Sequence, residues 1–168
     1  MSDTPFRVMG IDPGSHIAGL AVVERGTCLS VRELAVRREL EGDDFLPSAL
    51  FRFYCDVLEE LVDWEVALMV VEKTQVMRNA DTQKKLDYFE AAAMMAAGDY
   101  GCMVEQMGTS RARKLVFGDG RFAKQRIPAE VSRILKSRGQ FLGVDFTEDE
   151  AEAIVFALAG ELVLEYSP

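Results

Sequence analysis

Apolar and polar positions change rhythm several times along this chain. Arg7 to Ile11 is a short apolar run that stops at Asp-Pro-Gly, a turn signal. Ile17 to Val23 resumes as β-rich sequence with Gly19 inside it. Cys28 to Arg37 alternates through Leu29, Val31, Leu34 and Val36, with one break in phase. Together these predict an antiparallel meander. Phe45 to Trp64 then takes helical spacing through Leu46, Leu50, Phe53, Val57, Leu61 and Trp64. Ala67 to Val71 is a continuous apolar run closing on Glu72, as suits a buried central strand. Thr82 to Tyr100 predicts a second long helix, with Leu86, Phe89, Ala93 and Ala97 on one stripe, and Cys102 to Met107 a fifth strand. Basic sequence without a clear period follows. Pro128 to Ser137 reads as a helix with its proline in the first turn, and Thr147 opens a last helix running to about Tyr166. The order is β-β-β-α-β-α-β, then basic irregular sequence, then α. It predicts an α/β fold: a mixed five-stranded sheet, three antiparallel strands and then parallel ones, flanked by helices. The expectation is one domain over residues 1–168.

Composition leaves this picture standing. Apolar residues at 49% can build a core, and charged residues at 28% are ordinary for a soluble domain. The opening residues carry no apolar leader, and no stretch reaches the roughly 18 apolar residues a membrane span needs. The expected location is the cytoplasm, with no membrane contact. Cys28, Cys55 and Cys102 are far apart with no C-x-x-C, so neither a zinc site nor a disulfide framework is expected. They read as small buried apolar residues.

Charge changes the picture more. The net charge of −9 and isoelectric point near 4.7 argue against a phosphate-bearing partner. The sign, however, is segregated. Arg111 to Arg138 holds nine basic and two acidic residues, a balance of +7 that leaves −16 for the rest of the chain. That segment, with Arg113, Lys114, Lys124 and Arg126 in it, is either a solvated helical face or a phosphate-binding one.

Four acids stand at the ends of predicted elements. Asp12 closes the first strand, and Glu72 closes the fourth. If those strands are parallel neighbours, both carboxylates leave the sheet at the edge where open α/β sheets bind ligands. Thr147 and Glu150 have capping-box spacing, which puts Asp149 at the second helical position and Glu152 three residues on, on the same face. Each has an ordinary reading. Asp12 fits a turn, and residues 148–150 fit an acidic helix start. Glu72 is harder to dismiss, because an acid closing a buried strand is costly unless it reaches water or a cation. Gathered carboxylates repel unless neutralised. Two Mg²⁺ ions, hard cations for oxygen ligands, would neutralise them and could cut a phosphodiester, with Mn²⁺ as a substitute. The single histidine, His16, leaves little for His-based schemes.

These residues resemble the RuvC family of Holliday junction resolvases over almost the whole chain, and the element order matches the RNase H-like fold. Gly10-Ile11-Asp12-Pro13-Gly14-Ser15 with Gly19 is similar to the family's first-strand motif. Val71-Glu72 followed by Asn79-Ala80-Asp81 is similar to its second acid and downstream Asn-Ala-Asp. Val116-Phe117-Gly118-Asp119-Gly120 with Lys124 resembles its glycine-bearing loop and lysine, and Arg113 falls at another basic position. Asp149-Glu150-Ala151-Glu152-Ala153 resembles the closing D-x-x-D/H-A motif. The resemblance implies a homodimer making paired symmetric nicks in a four-way junction or other branched DNA, with a branch-migration helicase as candidate partner. It implies Asp12, Glu72, Asp149 and Glu152 as catalytic Mg²⁺ ligands. Arg113, Lys114, Lys124, Arg126, Asn79 and Gln75 are the DNA-binding candidates. It also implies a dimer surface on the second long helix, where Ala91, Ala92, Ala93, Ala96 and Ala97 would permit close approach, unless they pack on the protein's own sheet. This chain departs from the family in four ways. Gln75 stands where the family has a wedging aromatic, and Glu152 is longer than the usual acid. The isoelectric point is low, and the stretch from Gly139 to Phe146 is long.

Other functions share parts of the pattern. A related nuclease acting on RNA–DNA hybrids would use the same acids. Asp12, Gly14 and Gly19 also satisfy the D-x-G-x-x-x-x-G of actin-like and sugar-kinase folds, whose backbone amides hold phosphate. Those folds repeat the unit in two domains, more than 168 residues hold. Failure to bind Mg²⁺ would indicate a non-catalytic DNA-binding module instead.

Overall fold

The computed structural model describes residues 6–14, 16–35, 45–73, 80–140 and 145–165. The chain begins with three antiparallel strands, β1 (Arg7–Asp12), β2 (Ile17–Glu24) and β3 (Thr27–Ala35). Arg25 and Gly26 join β2 to β3 with φ of 51° and 72°. Two left-handed residues suit the right-handed twist of a tight hairpin. Helix α1 (Phe45–Asp63) leads to β4 (Val66–Glu72), which lies parallel to β1. Helix α2 (Ala80–Tyr100) leads to β5 (Met103–Met107), parallel to β4. The sheet order is β3-β2-β1-β4-β5. Among the described residues no helix is long and apolar enough to cross a membrane.

The meander and the two crossovers match the sequence reading. The basic stretch after β5 matches only in its later part, where the helix predicted over Pro128 to Ser137 forms; its earlier part, expected to be irregular, is helical as well. Helix α3 (Thr109–Phe117), a short 3-10 turn (Lys124–Arg126) and helix α4 (Ile127–Ser137) occupy it before helix α5 (Glu148–Glu165). Helix α3 is only nine residues long and carries three cations, which dilute its apolar period. Its bounds were nonetheless written in glycine. Gly108 starts it, and Gly118 ends it in the left-handed conformation at φ 76°.

Side-chain alternation divides the sheet into two cores. Met9, Ile11, Leu20, Val22, Met69 and Val71 pack under α1 and α2. Val8, Ala21, Val23, Leu68, Val70 and Met107 pack under α5, which α3 and α4 cover from outside. Helix α5 is therefore buried on every side from Ala151 to Gly160, as an apolar helix with no polar stripe must be. On α2, Ala92, Ala93, Ala96 and Ala97 are buried against the protein's own sheet and Ala91 alone of the five is exposed. The cysteines divide likewise: Cys28 is buried, Cys102 half-buried and Cys55 exposed, against the expectation that all three fill the core. Cys55 lies on the outer side of α1, where its neighbours Phe53 and Val57 take the inward positions.

Two glycines decide how α5 lies. A Cβ at Gly10 would stand 2.0 Å from the Ala153 carbonyl oxygen, and one at Gly19 would stand 2.0 Å from that of Asp149. Here strand and helix backbones meet with no side chain between them. Gly19→Ala should therefore lower stability by about 1–3 kcal/mol, an overpacking cost, read from urea denaturation. An unchanged midpoint contradicts direct backbone contact.

Candidate active site

The carboxyl ends of β1 and β4 set the first two acids side by side. The parallel register pairs Ile11 with Val71, so Asp12 and Glu72 are the next residues on adjacent strands, roughly 4.8 Å apart in backbone. By alternation both point to the α5 side, as Val8, Leu68 and Val70 do. Their carboxyls are close enough for Glu72 to raise the Asp12 carboxyl.

Helix α5 supplies the other two. Thr147 and Glu150 form the capping box: the Thr147 N–H donates to Glu150 Oε2 at 2.9 Å, and the Glu150 N–H donates to Thr147 Oγ1 at 3.2 Å. This fixes the helix start, and the Gly19 contact fixes it against β2. Asp149 and Glu152 then face Asp12 and Glu72.

Two cations from the basic layer enter the cluster. Lys124 Nζ donates to Asp149 Oδ1 at 3.3 Å and lies 3.9 Å from Glu148 Oε2. Arg113 on α3 donates through Nη1 to the Phe122 carbonyl at 3.0 Å, and through Nη2 to Glu152 Oε1. Glu152 is 3% exposed, and its second oxygen, Oε2, is buried without a hydrogen-bond partner among the described residues. Such an atom carries a desolvation cost with no return inside the protein.

The electrostatics match this crowding. Burial, then the hydrogen bonding and charge of Glu72, push the Asp12 carboxyl well above its ordinary value. Asp149 adds to the effect and Lys124 opposes it. Burial raises Glu152 as well, against the hydrogen bond and charge of Arg113. Burial alone would lower the Lys124 ammonium, but Asp12 and Asp149 together outweigh it and hold it above its ordinary value.

All four acids from the sequence are thus brought together, along with Arg113 and Lys124. Lys114 is exposed on α3, and the Arg126 guanidinium lies over the Phe122 ring, 5.1 Å from its centroid. Gln75 and Asn79 lie outside the described residues. Sequence reasoning missed Thr109, whose hydroxyl donates to Glu72 Oε1 at 2.5 Å. It also missed the approach of Glu148 to Lys124. The signal for Thr109 lay in its place directly after Gly108, at a helix start that went unrecognised.

As they stand, the described residues offer no group of three His, Cys, Asp or Glu donors ready to hold a metal ion. Arg113, Lys124 and Thr109 each occupy one oxygen of an acid. The donor set still fits a hard divalent cation. It is all carboxylate, burial and the nearby Glu72 hold Asp12 above its ordinary value, and Glu152 Oε2 is buried with no hydrogen-bond partner among the described residues.

A mixed sheet in this order, with acids at the ends of its central parallel strands and on the helix laid across them, is the RNase H-like fold. The family model described as "Crossover junction endodeoxyribonuclease RuvC" matches residues 8–159. The RuvC of Pseudomonas fluorescens is 32% identical over 132 residues, 77% of this chain and 74% of that protein. The RuvC of Photorhabdus laumondii is 28% identical over 152 residues, 90% of this chain and 84% of its own length. The structure of T. thermophilus RuvC in complex with Holliday junction substrate superposes with a TM-score of 0.79 at 22% identity, covering 95% of both chains. The chain belongs to the RuvC family of crossover junction endodeoxyribonucleases.

Asp12 gives a direct check on the site's electrostatics. A carboxyl whose folded value lies above its unfolded one opposes folding once ionised. The cost is absent at low pH, grows as pH rises past the ordinary carboxylate range, and is complete above the raised folded value. Asp12→Asn removes the ionisation and keeps a hydrogen-bonding partner for Glu72. Metal-free, the variant should melt about 2–4 °C above the parent chain at neutral pH, for a gain of about 1 kcal/mol, with the gap closing toward about pH 4. A melting temperature at neutral pH that is unchanged or lowered contradicts this crowding.

Proposed function

We propose that this chain is a structure-specific endodeoxyribonuclease that resolves Holliday junctions by paired symmetric nicks, as part of DNA recombination and repair in the cytoplasm. The observation that carries this reading is the convergence of Asp12, Glu72, Asp149 and Glu152 beside Lys124 and Arg113, in a chain of the RuvC family. Asp12, Glu72, Asp149 and Glu152 would hold two Mg²⁺ ions, or Mn²⁺ in their place, which when bound activate a water and stabilise the oxygen that leaves the phosphodiester.

The chain's own residues supply binding and charge balance. Arg113 and Lys124 neutralise acids in the resting site, and each can exchange its carboxylate for a phosphate oxygen when DNA arrives. Both partners of such an exchange are anionic oxygens of matching geometry. Lys114 and Arg126 are exposed beside them and extend the contact along the backbone. The +7 segment lies in α3, the 3-10 turn and α4, so the basic layer covers one side of an otherwise acidic protein. That layer lets a chain of net charge −9 approach DNA.

Two symmetric nicks require two sites, and a homodimer supplies them. The outer face of α2 carries Tyr88, Met94 and Met95, and on the same side of the sheet β5 carries Val104, all exposed apolar side chains. This face, rather than the buried alanines, is the one offered to a second copy. T. thermophilus RuvC has been captured on a Holliday junction, which supports the same substrate here.

The test is Mg²⁺-dependent cleavage of a synthetic mobile four-way junction beside linear duplex and RNA–DNA hybrid, with light scattering on the same sample. Paired symmetric nicks in the junction alone, by a particle of dimer mass, are expected. Asp12→Asn should lose more than the roughly 10–100-fold typical of removing an outer-shell partner. Faster cutting of the hybrid would overturn the junction reading and keep the nuclease, and a monomeric mass would overturn the dimer.

A further inference from the structure

We propose that Thr109 is a positioning residue for Glu72, fixing by its hydroxyl the carboxylate that this chain offers to the metal; the proposal rests on the metal-dependent reading above. The path of the backbone puts it there. Met107 at the end of β5 pairs with Glu72, and the Lys73 N–H donates to the Met107 carbonyl at 2.9 Å, so the ladder continues past the acid. The backbone at Glu72 is therefore held against β5. One residue, Gly108, in extended geometry (φ −73°, ψ 143°), turns the chain from β5 into α3. Thr109 is the first residue of that helix and arrives directly over Glu72.

Its hydroxyl has no competing duty. The residue at the N-cap is Gly108, and α3 has no side-chain cap. The Thr109 Oγ1 instead donates to Glu72 Oε1 at 2.5 Å, with both side chains partly buried. A β-branched side chain is stiff at χ1, so the donor's place is set by the helix start rather than by a flexible stem. Held by this hydroxyl, Glu72 has one carboxylate oxygen fixed before a cation arrives.

The contrast with its neighbours supports a distinct role. Asp149 is held by Lys124 and Glu152 by Arg113. Both are cations, which a metal must displace or compete with. Thr109 orients Glu72 and brings no positive charge. Outer partners of this kind fix the orientation of metal-binding carboxylates, and their loss costs metal affinity rather than fold.

The experiment is calorimetric titration of Mn²⁺ into the full chain and two variants, with junction binding, junction cleavage and thermal melting beside it. Thr109→Val keeps the shape and removes the hydroxyl; Thr109→Ser keeps the hydroxyl. Thr109→Val is expected to weaken Mn²⁺ binding by about 10–100-fold, with kcat falling and junction affinity unchanged. Thr109→Ser is expected to restore Mn²⁺ affinity to near that of the parent. Parent-like Mn²⁺ binding in Thr109→Val, with the parent active on junctions, overturns the positioning role alone. A Ser variant as weak as the Val variant also overturns it, because shape and not the hydroxyl then matters. If melting shows that Thr109→Val does not fold, a Ser variant binding tenfold more weakly than the parent overturns it. A parent that binds no Mn²⁺ and cuts nothing overturns this role together with the metal-dependent function.

Discussion

At two points the contact between α5 and the sheet is made of backbone. At Gly10 and Gly19 any side chain would run into the carbonyls of Ala153 and Asp149, so helix and strands lie closer than side-chain packing allows. The site depends on that closeness. Asp12 and Glu72 are placed by strand register, which is a property of the sheet. Asp149 and Glu152 belong to a separate element and reach them only because α5 is pressed onto β1 and β2. The alanines of the helix serve the same end. Ala151, Ala153 and Ala157 are fully buried and small enough for the approach.

Once the acids are assembled, charge becomes the dominant cost. Four carboxylates at one sheet edge would push α5 away, and the fold answers with cations from the layer above. Lys124 lies on Asp149 and Arg113 on Glu152. The compensation is incomplete. Burial and then Glu72 still push Asp12 well above its ordinary value, and Glu152 Oε2 remains buried without a hydrogen-bond partner among the described residues. Both residual costs have the same remedy, a hard divalent cation among the oxygens.

Much of this was legible in the chain. Strand ends were visible because apolar runs stop abruptly at Asp12 and Glu72, and the capping box at Thr147 and Glu150 fixed the start of α5. The resemblance to the RuvC family then joined the four acids into one site. Helix α3 was hidden because cations at 111, 113 and 114 mask a short period built on Ala112, Leu115 and Val116. With the helix hidden, so was Thr109, whose role follows from where the backbone goes after β5. The alanines of α2 show the opposite failure. Small residues at helical spacing suit a partner helix and a sheet equally, and only the position of α2 over the sheet decides between them. The ion pair between Arg113 and Glu152 could not be read either, since residues 39 apart meet only through the packing of α3 on α5.

Four carboxylates, brought together by a backbone-on-backbone contact and held by internal cations, are proposed as one metal centre. Anomalous diffraction from crystals soaked in Mn²⁺ tests it most directly. The account predicts Mn²⁺ density among Asp12, Glu72, Asp149 and Glu152, with the Glu152 carboxylate turned from Arg113 toward the ion. Mn²⁺ bound elsewhere, or none at this edge while Arg113 still holds Glu152, would contradict it.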